Sequence, residues 1–279
     1  MREERRKTAV WQFLTYSFII TMSLVMLVPL YWMIVAATIP QQEFFSFPPR
    51  LYPGTHFIEN FIALEFERSG SYVRSIWNSI FIASVYTILS LLLCSMGGFA
   101  FAKYDFKFKE PIFYTILATL VLPIQLLVIP LFLIMAQIDW TNTFRAIILP
   151  WLANPIGIFL MRQNMRSIPD ALLESARMDG ATEFQIFYRI ALPTMRSSLA
   201  ALAIILFLFQ WDLFLYPLVI LEQENFTIPV AIAQLVGTQR VYYDQIMVAA
   251  TLAIVPMAIL FLVLQKQFVS GILAGSLKE

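Results

Sequence analysis

No residue between positions 8 and 42 carries a charge. A run of that length decides the fold class before any motif is consulted. About 20 mostly apolar residues suffice for a helix to cross the hydrocarbon of a bilayer, whereas the apolar part of a secretory leader is only about 7–15 residues long. The run follows a charged, mainly basic flank, MREERRKTAV, and no small-residue cleavage site stands out. It is read as a retained first membrane helix. Five further segments qualify, giving spans at about 11–37, 75–102, 111–136, 143–161, 197–221 and 245–268. Composition agrees. The chain is 59% hydrophobic and only 13% charged, against about 25% charged in a soluble domain. An all-α membrane protein with six transmembrane helices is expected, as one domain over 1–279.

Proline falls in most of the spans, at Pro29, Pro123, Pro130, Pro150, Pro155, Pro217 and Pro256. Membrane helices tolerate proline where neighbours re-satisfy the freed carbonyls, so bent helices around a pathway are expected. Orientation follows from the basic residues. Fourteen of the 19 Lys and Arg fall at the N-terminus, after the second and fourth spans, or at the C-terminus. Both termini are therefore expected in the cytoplasm. Segments 38–74 and 222–244 become outer loops able to meet a partner or a solute. Cys94 lies inside an apolar run and is read as a small lipid- or helix-facing residue. His56 lies in a polar loop and is read as a surface residue. Neither has company suited to a metal site. No catalytic constellation is visible.

The longest cytoplasmic loop, 167–196, is the polar exception. Ser167, Pro169 and Asp170 read as a helix start, with the serine oxygen as cap, proline in the first turn and an acid at the positive end. Gly180 should end that helix by taking the left-handed conformation. Thr182 and Gln185 make a second capping signal. Phe184, Phe187, Tyr188 and Ala191 then recur at helical spacing and predict an apolar face. Two short helices around a tight turn are expected at the membrane surface. A DNA-reading helix-turn-helix is excluded, because three arginines and four acids over 167–196 leave no basic footprint.

Within this loop stand Glu174-Ser175-Ala176, then Gly180, then Ile190-Ala191-Leu192-Pro193 after nine residues. That spacing resembles the EAA loop of ABC importer permeases, departing from it only at Ser175. Asp179-Gly180-Ala181 is similar to the sugar-importer branch. Asn78-Ser79, the stretch Gly97-Gly98 to Phe106, and Trp211-Asp212-x-Phe214 with Pro217 resemble the carbohydrate, maltose G-type permeases, with Asp212 in place of the usual Asn. The tail, through Gln267-Phe268-Val269-Ser270-Gly271 and Gly275-Ser276-Leu277-Lys278, resembles the short tail of the same subunits. The resemblance covers nearly the whole chain.

It implies a type I importer permease fold in the bacterial inner membrane. The first short helix would then be a coupling helix seated on an ATPase subunit through Glu174, Ser175, Ala176, Arg177, Met178, Asp179, Gly180 and Ala181. The partners implied are a second, homologous permease subunit, an ATPase dimer and an extracytoplasmic solute-binding protein, with membrane lipid around the chain. This chain has no G-x-x-x-x-G-K-[ST] phosphate loop, so ATP and Mg are expected on the ATPase, and no cofactor here. Gln125, Trp211, Asp212 and Phe214 are candidate pathway residues, since an intramembrane acid usually faces protein or water. No concentrated basic site argues for a phosphate, so a neutral sugar or polyol-type solute is expected, and no nucleic acid. A stand-alone secondary transporter is the rival reading. It predicts ion-coupling residues and an inverted repeat, and neither is visible.

Overall fold

The computed structural model describes residues 2–69, 72–236 and 241–276, and their side chains within 11–66, 72–236 and 241–265. The basic flank at 2–7 and the tail motif at 267–278 fall outside the described side chains. The described chain forms two compact units, 1–70 with 234–253, and 71–233 with 254–279.

In the first unit, α1 (Arg2–Ala36) is a single helix. Its side chains from Trp11 to Leu30 are exposed almost throughout, as lipid contact requires. The segment after it is more than a loop. The Asn60 amide, on α2 (Phe57–Ile62), donates to the carbonyls of Ala37 and Ile39 at 3.1 and 2.9 Å. Phe44 stacks on Tyr243 at 5.0 Å. His56 is half-exposed, with its Nε2 3.7 Å from Glu59.

The second unit is built on α3 (Tyr72–Lys103), a continuous span as expected. The third span is not continuous. α4 (Lys109–Ala118) tightens into a turn ending at Val121, and α5 (Ile124–Gln137) leaves at 101°. Leu122 precedes Pro123, which disfavours the helical region for it, and it is extended with ψ 119°. The fourth span bends by 43° between α6 (Phe144–Ile148), with its following turn, and α7 (Pro155–Met165). Ser90 Oγ donates to the Leu152 carbonyl at 2.7 Å, and Asn154 caps α7 by accepting the Gly157 N–H at 3.1 Å. The bend thereby keeps its backbone groups satisfied. α3 and α7 pack closely, because a Cβ on Gly98 would stand 2.4 Å from Met161 Cβ. Cys94 is fully buried in this seam, which makes it helix-facing.

After α7 come α8 (Asp170–Met178) and α9 (Glu183–Ile186). α9 runs on through a wide π-type turn into α10 (Leu192–Thr194). An 84° bend then leads into α11 (Arg196–Trp211). The fifth span is interrupted at 212–214 and resumes as α12 (Leu215–Ile220). Pro217 explains the interruption, since its ring excludes the carbonyl four residues back.

The segment 222–244 is not a plain outer loop. It contains α13 (Ile228–Val236), whose Ile228, Val230 and Ala231 are buried. The apolar run Ile228-Pro229-Val230-Ala231-Ile232-Ala233 was the available signal. Asn78 Nδ2 donates to the carbonyls of Glu224 and Phe226, and Ser79 Oγ accepts the Ile228 N–H at 2.8 Å. α14 (Tyr243–Ser276) closes the chain. By length and composition there are, among the described residues, three helices long and apolar enough to span a membrane, or up to six when each bent pair is one span.

Candidate functional sites, an anchored hairpin and an apolar pocket

The hairpin α8–α9 folds as its residues dictate, apart from one end. Ser167 is not the cap. Its hydroxyl donates back to Asn164 O at 2.7 Å, and Pro169 occupies the N-cap position without a side-chain bond. The acid at Asp170 opens the helix as expected. At the other end Gly180 has φ 82°, the Ala181 N–H reaches the Ala176 carbonyl at 3.0 Å, and the Gly180 N–H reaches Arg177 O at 3.0 Å. This pair of bonds is the Schellman closure. Thr182 and Gln185 form the reciprocal capping box, at 3.3 and 2.8 Å. Arg177 spans the turn to Glu183 at 2.8 Å.

Leu173, Ile186, Phe187 and Ala191 seat the hairpin in the core, with Ala176 and Ala181 packed against it. Phe184 and Tyr188 do not share this face. They stack on each other at 6.4 Å and are exposed. Their four-residue spacing puts them together on the opposite side of the turn. Glu174, Ser175, Arg177, Asp179 and Gly180 are exposed, and Met178 is 88% exposed. The small Ala176 and Ala181 therefore allow close packing within this chain, while Ser175 and Gly180 face outward.

Lys103, the last residue of α3, and Tyr104 after it hold the hairpin. In the sequence they are marked only as part of the stretch from Gly97 to Phe106 that resembles the permeases, not as its anchors. The Lys103 side chain is 4% exposed, and its Nζ donates to Ile168 O at 2.5 Å and to Asp170 Oδ1 at 2.7 Å. Tyr104 OH donates to Glu183 Oε2 at 2.5 Å. The Lys103 ammonium holds the Asp170 carboxyl below the usual carboxylate range. Arg177 and Tyr104 do the same for Glu183. Burial, then the Glu183 carboxylate, pushes the Tyr104 phenol up to about 12. Arg162 was also missed. Expected in the loop, it lies in α7 with its side chain buried. It pairs with Glu110, donates to Phe101 O at 3.3 Å and sits 3.8 Å from the Phe113 ring centre. A desolvated guanidinium needs such partners, and the lone acid opening α4 was the signal.

The pathway candidates divide. Gln125, Asp212 and Phe214 line one pocket of about 450 Å³, with Val128, Phe209 and Tyr216 among its walls. The first turn of α5 and the break that follows α11 thus contribute polar groups to a common space. Trp211 does not line it. It is buried and stacks on Phe207 at 5.4 Å. Among the described residues no group hydrogen-bonds the Asp212 carboxylate or the Gln125 amide, and no Lys or Arg lines the pocket.

The sequence resembles known proteins over most of its length. The pattern of the family described as "Binding-protein-dependent transport system inner membrane component" matches residues 94–273. The arabinooligosaccharides transport system permease protein AraQ of Halalkalibacterium halodurans is 40% identical over 227 residues, 81% of each chain. The sn-glycerol-3-phosphate transport system permease protein UgpE of Salmonella typhi is 31% identical over 281 residues, 98% of each. A chain of a bacterial ABC transporter that imports the acidic polysaccharide alginate superposes with TM-score 0.78 at 19% identity, covering 94% of this chain and 98% of its own. That likeness is one of fold. The chain belongs to the family of binding-protein-dependent transport system inner membrane components, as a permease subunit.

Proposed function

We propose that this permease subunit passes a neutral sugar or polyol-type solute inward by alternating access, driven through α8 by an ATPase subunit. An extracytoplasmic binding protein delivers the solute. A homologous second permease completes the pathway, and an ATPase dimer binds the ATP and Mg. Both termini of this chain lie in the cytoplasm, the orientation that the distribution of basic residues favours.

The observation that carries this reading is the split character of α8. One face is seated on the core through Leu173, and the other presents Glu174, Ser175, Met178 and Asp179. An 88% exposed Met178 at the tip of a doubly capped hairpin suits a cleft on another protein. Methionine adapts its shape to irregular surroundings. Closure of the ATPase dimer would displace this rigid element and bias one of two arrangements of the bundle. Gln125 and Asp212 offer hydroxyl-binding groups in a pocket with aromatic walls. Trp211 is buried against Phe207 and takes no part in that lining. A pocket with a carboxylate and no cation suits hydroxyls better than phosphate. Of the two relatives named above, it fits the solute class of the first.

The test is affinity purification of the tagged chain from its native membrane, beside two variants. Proline at position 180 cannot adopt φ 82° and removes the N–H bonded to Arg177. Asparagine tolerates that φ and adds bulk where a Cβ meets open space. Wild type should bring down an ATPase and a second permease. Gly180→Pro should lose the ATPase, and Gly180→Asn should lose it without loss of fold. A chain that purifies alone in mild detergent would support a stand-alone transporter.

A further inference from the structure

The two clamps on α3 point beyond the coupling helix itself. At one end Lys103 and Tyr104 are consecutive, and each holds a different helix of the hairpin. Lys103 straddles Pro169, bonding Ile168 O before it and Asp170 after it. Tyr104 bonds Glu183 in the first turn of α9, and Glu183 also takes Arg177 from the last turn of α8. At the other end Asn78 holds two carbonyls and Ser79 one N–H of segment 224–228, which leads into α13. The two sets lie 25 residues apart on one helix, about 37 Å at 1.5 Å per residue. Between them α3 carries no proline and no break.

We propose that α3 is a transmission rod, in which Lys103 takes up displacement of the coupling hairpin and Asn78 delivers it to segment 224–228. This rests on the reading of α8 as the ATPase contact. Lysine is an improbable choice for mere seating, because burying an ammonium is costly unless it is fully paired, and an apolar residue would pack α8 as well. What the ammonium adds is direction. Two bonds from one atom fix both the start of α8 and the backbone before it, so the hairpin cannot slide along α3. Lys103 and Asn78 are thus positioning residues.

The test uses the whole complex, purified from its membrane and reconstituted, with a nitroxide at Glu224→Cys. Glu224 is exposed, and its side chain lies outside the Asn78 clamp, which holds its carbonyl. The probe is MgATP with vanadate. In wild type, trapping should change the spectrum of a label some 37 Å from the hairpin end of the rod. Lys103→Met should lower that response about tenfold while ATP hydrolysis continues, and Lys103→Arg should restore it. Asn78→Ala should cut the response with the hairpin intact, which covers the case of a Lys103→Met chain that fails to assemble. A merely structural lysine would lower assembly and hydrolysis together and leave the response per assembled complex unchanged. That result, or a wild-type label insensitive to nucleotide, overturns the rod. Absence of any ATPase from the wild-type complex would instead sink the reading of α8, and the rod with it.

Discussion

The hairpin at 168–193 and the break at 212–214 are both places where a hydrophobic chain keeps polar residues, and they treat them in opposite ways. At the hairpin the polar groups that meet the end of α3 are paired within the chain, Asp170 with Lys103, and Glu183 with Tyr104 and Arg177. At the break, Asp212 and Gln125 open into a pocket with no partner among the described residues. Paired groups fix geometry, and unpaired groups await a ligand. The first region is built as a lever and the second as a contact surface for something that comes and goes.

The largest effect should come from undercutting the lever. Leu173 is the one deeply buried side chain of α8. Leu173→Ala should cost about 2–5 kcal/mol at that site, enough to free α8 from the core while leaving its outer face unchanged. ATPase retention by the purified chain should fall by more than about tenfold, while solute affinity stays near that of wild type. Full retention of the ATPase would mean that the clamps alone hold the hairpin.

A smaller effect is expected at the pocket. Asp212→Asn replaces the carboxylate with the amide usual in the resembling family. A hydrogen bond to a charged group is worth about 1.5–3 kcal/mol, so the KM for solute should rise by about tenfold or more, with ATP hydrolysis in the absence of solute unchanged. A change in that hydrolysis without a change in KM would put Asp212 in an interface. Trp211→Phe should do less, since Trp211 touches Phe207 and not the pocket. Loss of one ring should alter yield before KM.

The sequence exposed these two regions unequally. The hairpin was legible because its signals are local. Thr182 and Gln185 cap each other three residues apart, and Gly180 ends a helix within its own turn. The clamps were not legible, since Lys103 and Asp170 are 67 residues apart and only the fold joins them. The same holds for Asn78 and its carbonyls 146 and 148 residues away. Local reading also erred where two faces share one spacing. Phe184 and Phe187 both look apolar, but only Phe187 is buried. The bend at Pro123 was legible from the proline, but its 101° angle was not, because an apolar run sets how many residues can cross a membrane, not whether they do so in one line. The gathering of Gln125, Asp212 and Phe214 depends on that elbow and on the break before α12, so sequence could suggest each residue but not their meeting.

The smallest effect, and the sharpest separation of the two regions, should come from pH. Asp170 and Glu183 titrate below the ordinary carboxylate range in the folded chain. A depressed carboxyl contributes stability above its unfolded value and loses it as pH falls through the folded one. Tyr104 has the opposite sign. Raised from 10.0 to about 12, its contribution is present below 10.0 and is lost as pH rises toward about 12. Between these limits the hairpin should be indifferent to pH. These ion pairs are exposed and screened by solvent, so acid should loosen the hairpin without unfolding the bundle. Hydrogen exchange of peptides covering 168–186, corrected for intrinsic rates, should therefore stay flat across neutral pH and rise on acidification. In Lys103→Met the acid dependence due to Asp170 should shrink, because the ammonium that chiefly depresses its carboxyl is gone. An opening of the hairpin near neutrality would mean that the pairs seen in the structure do not hold it, and the contrast between lever and pocket would fail.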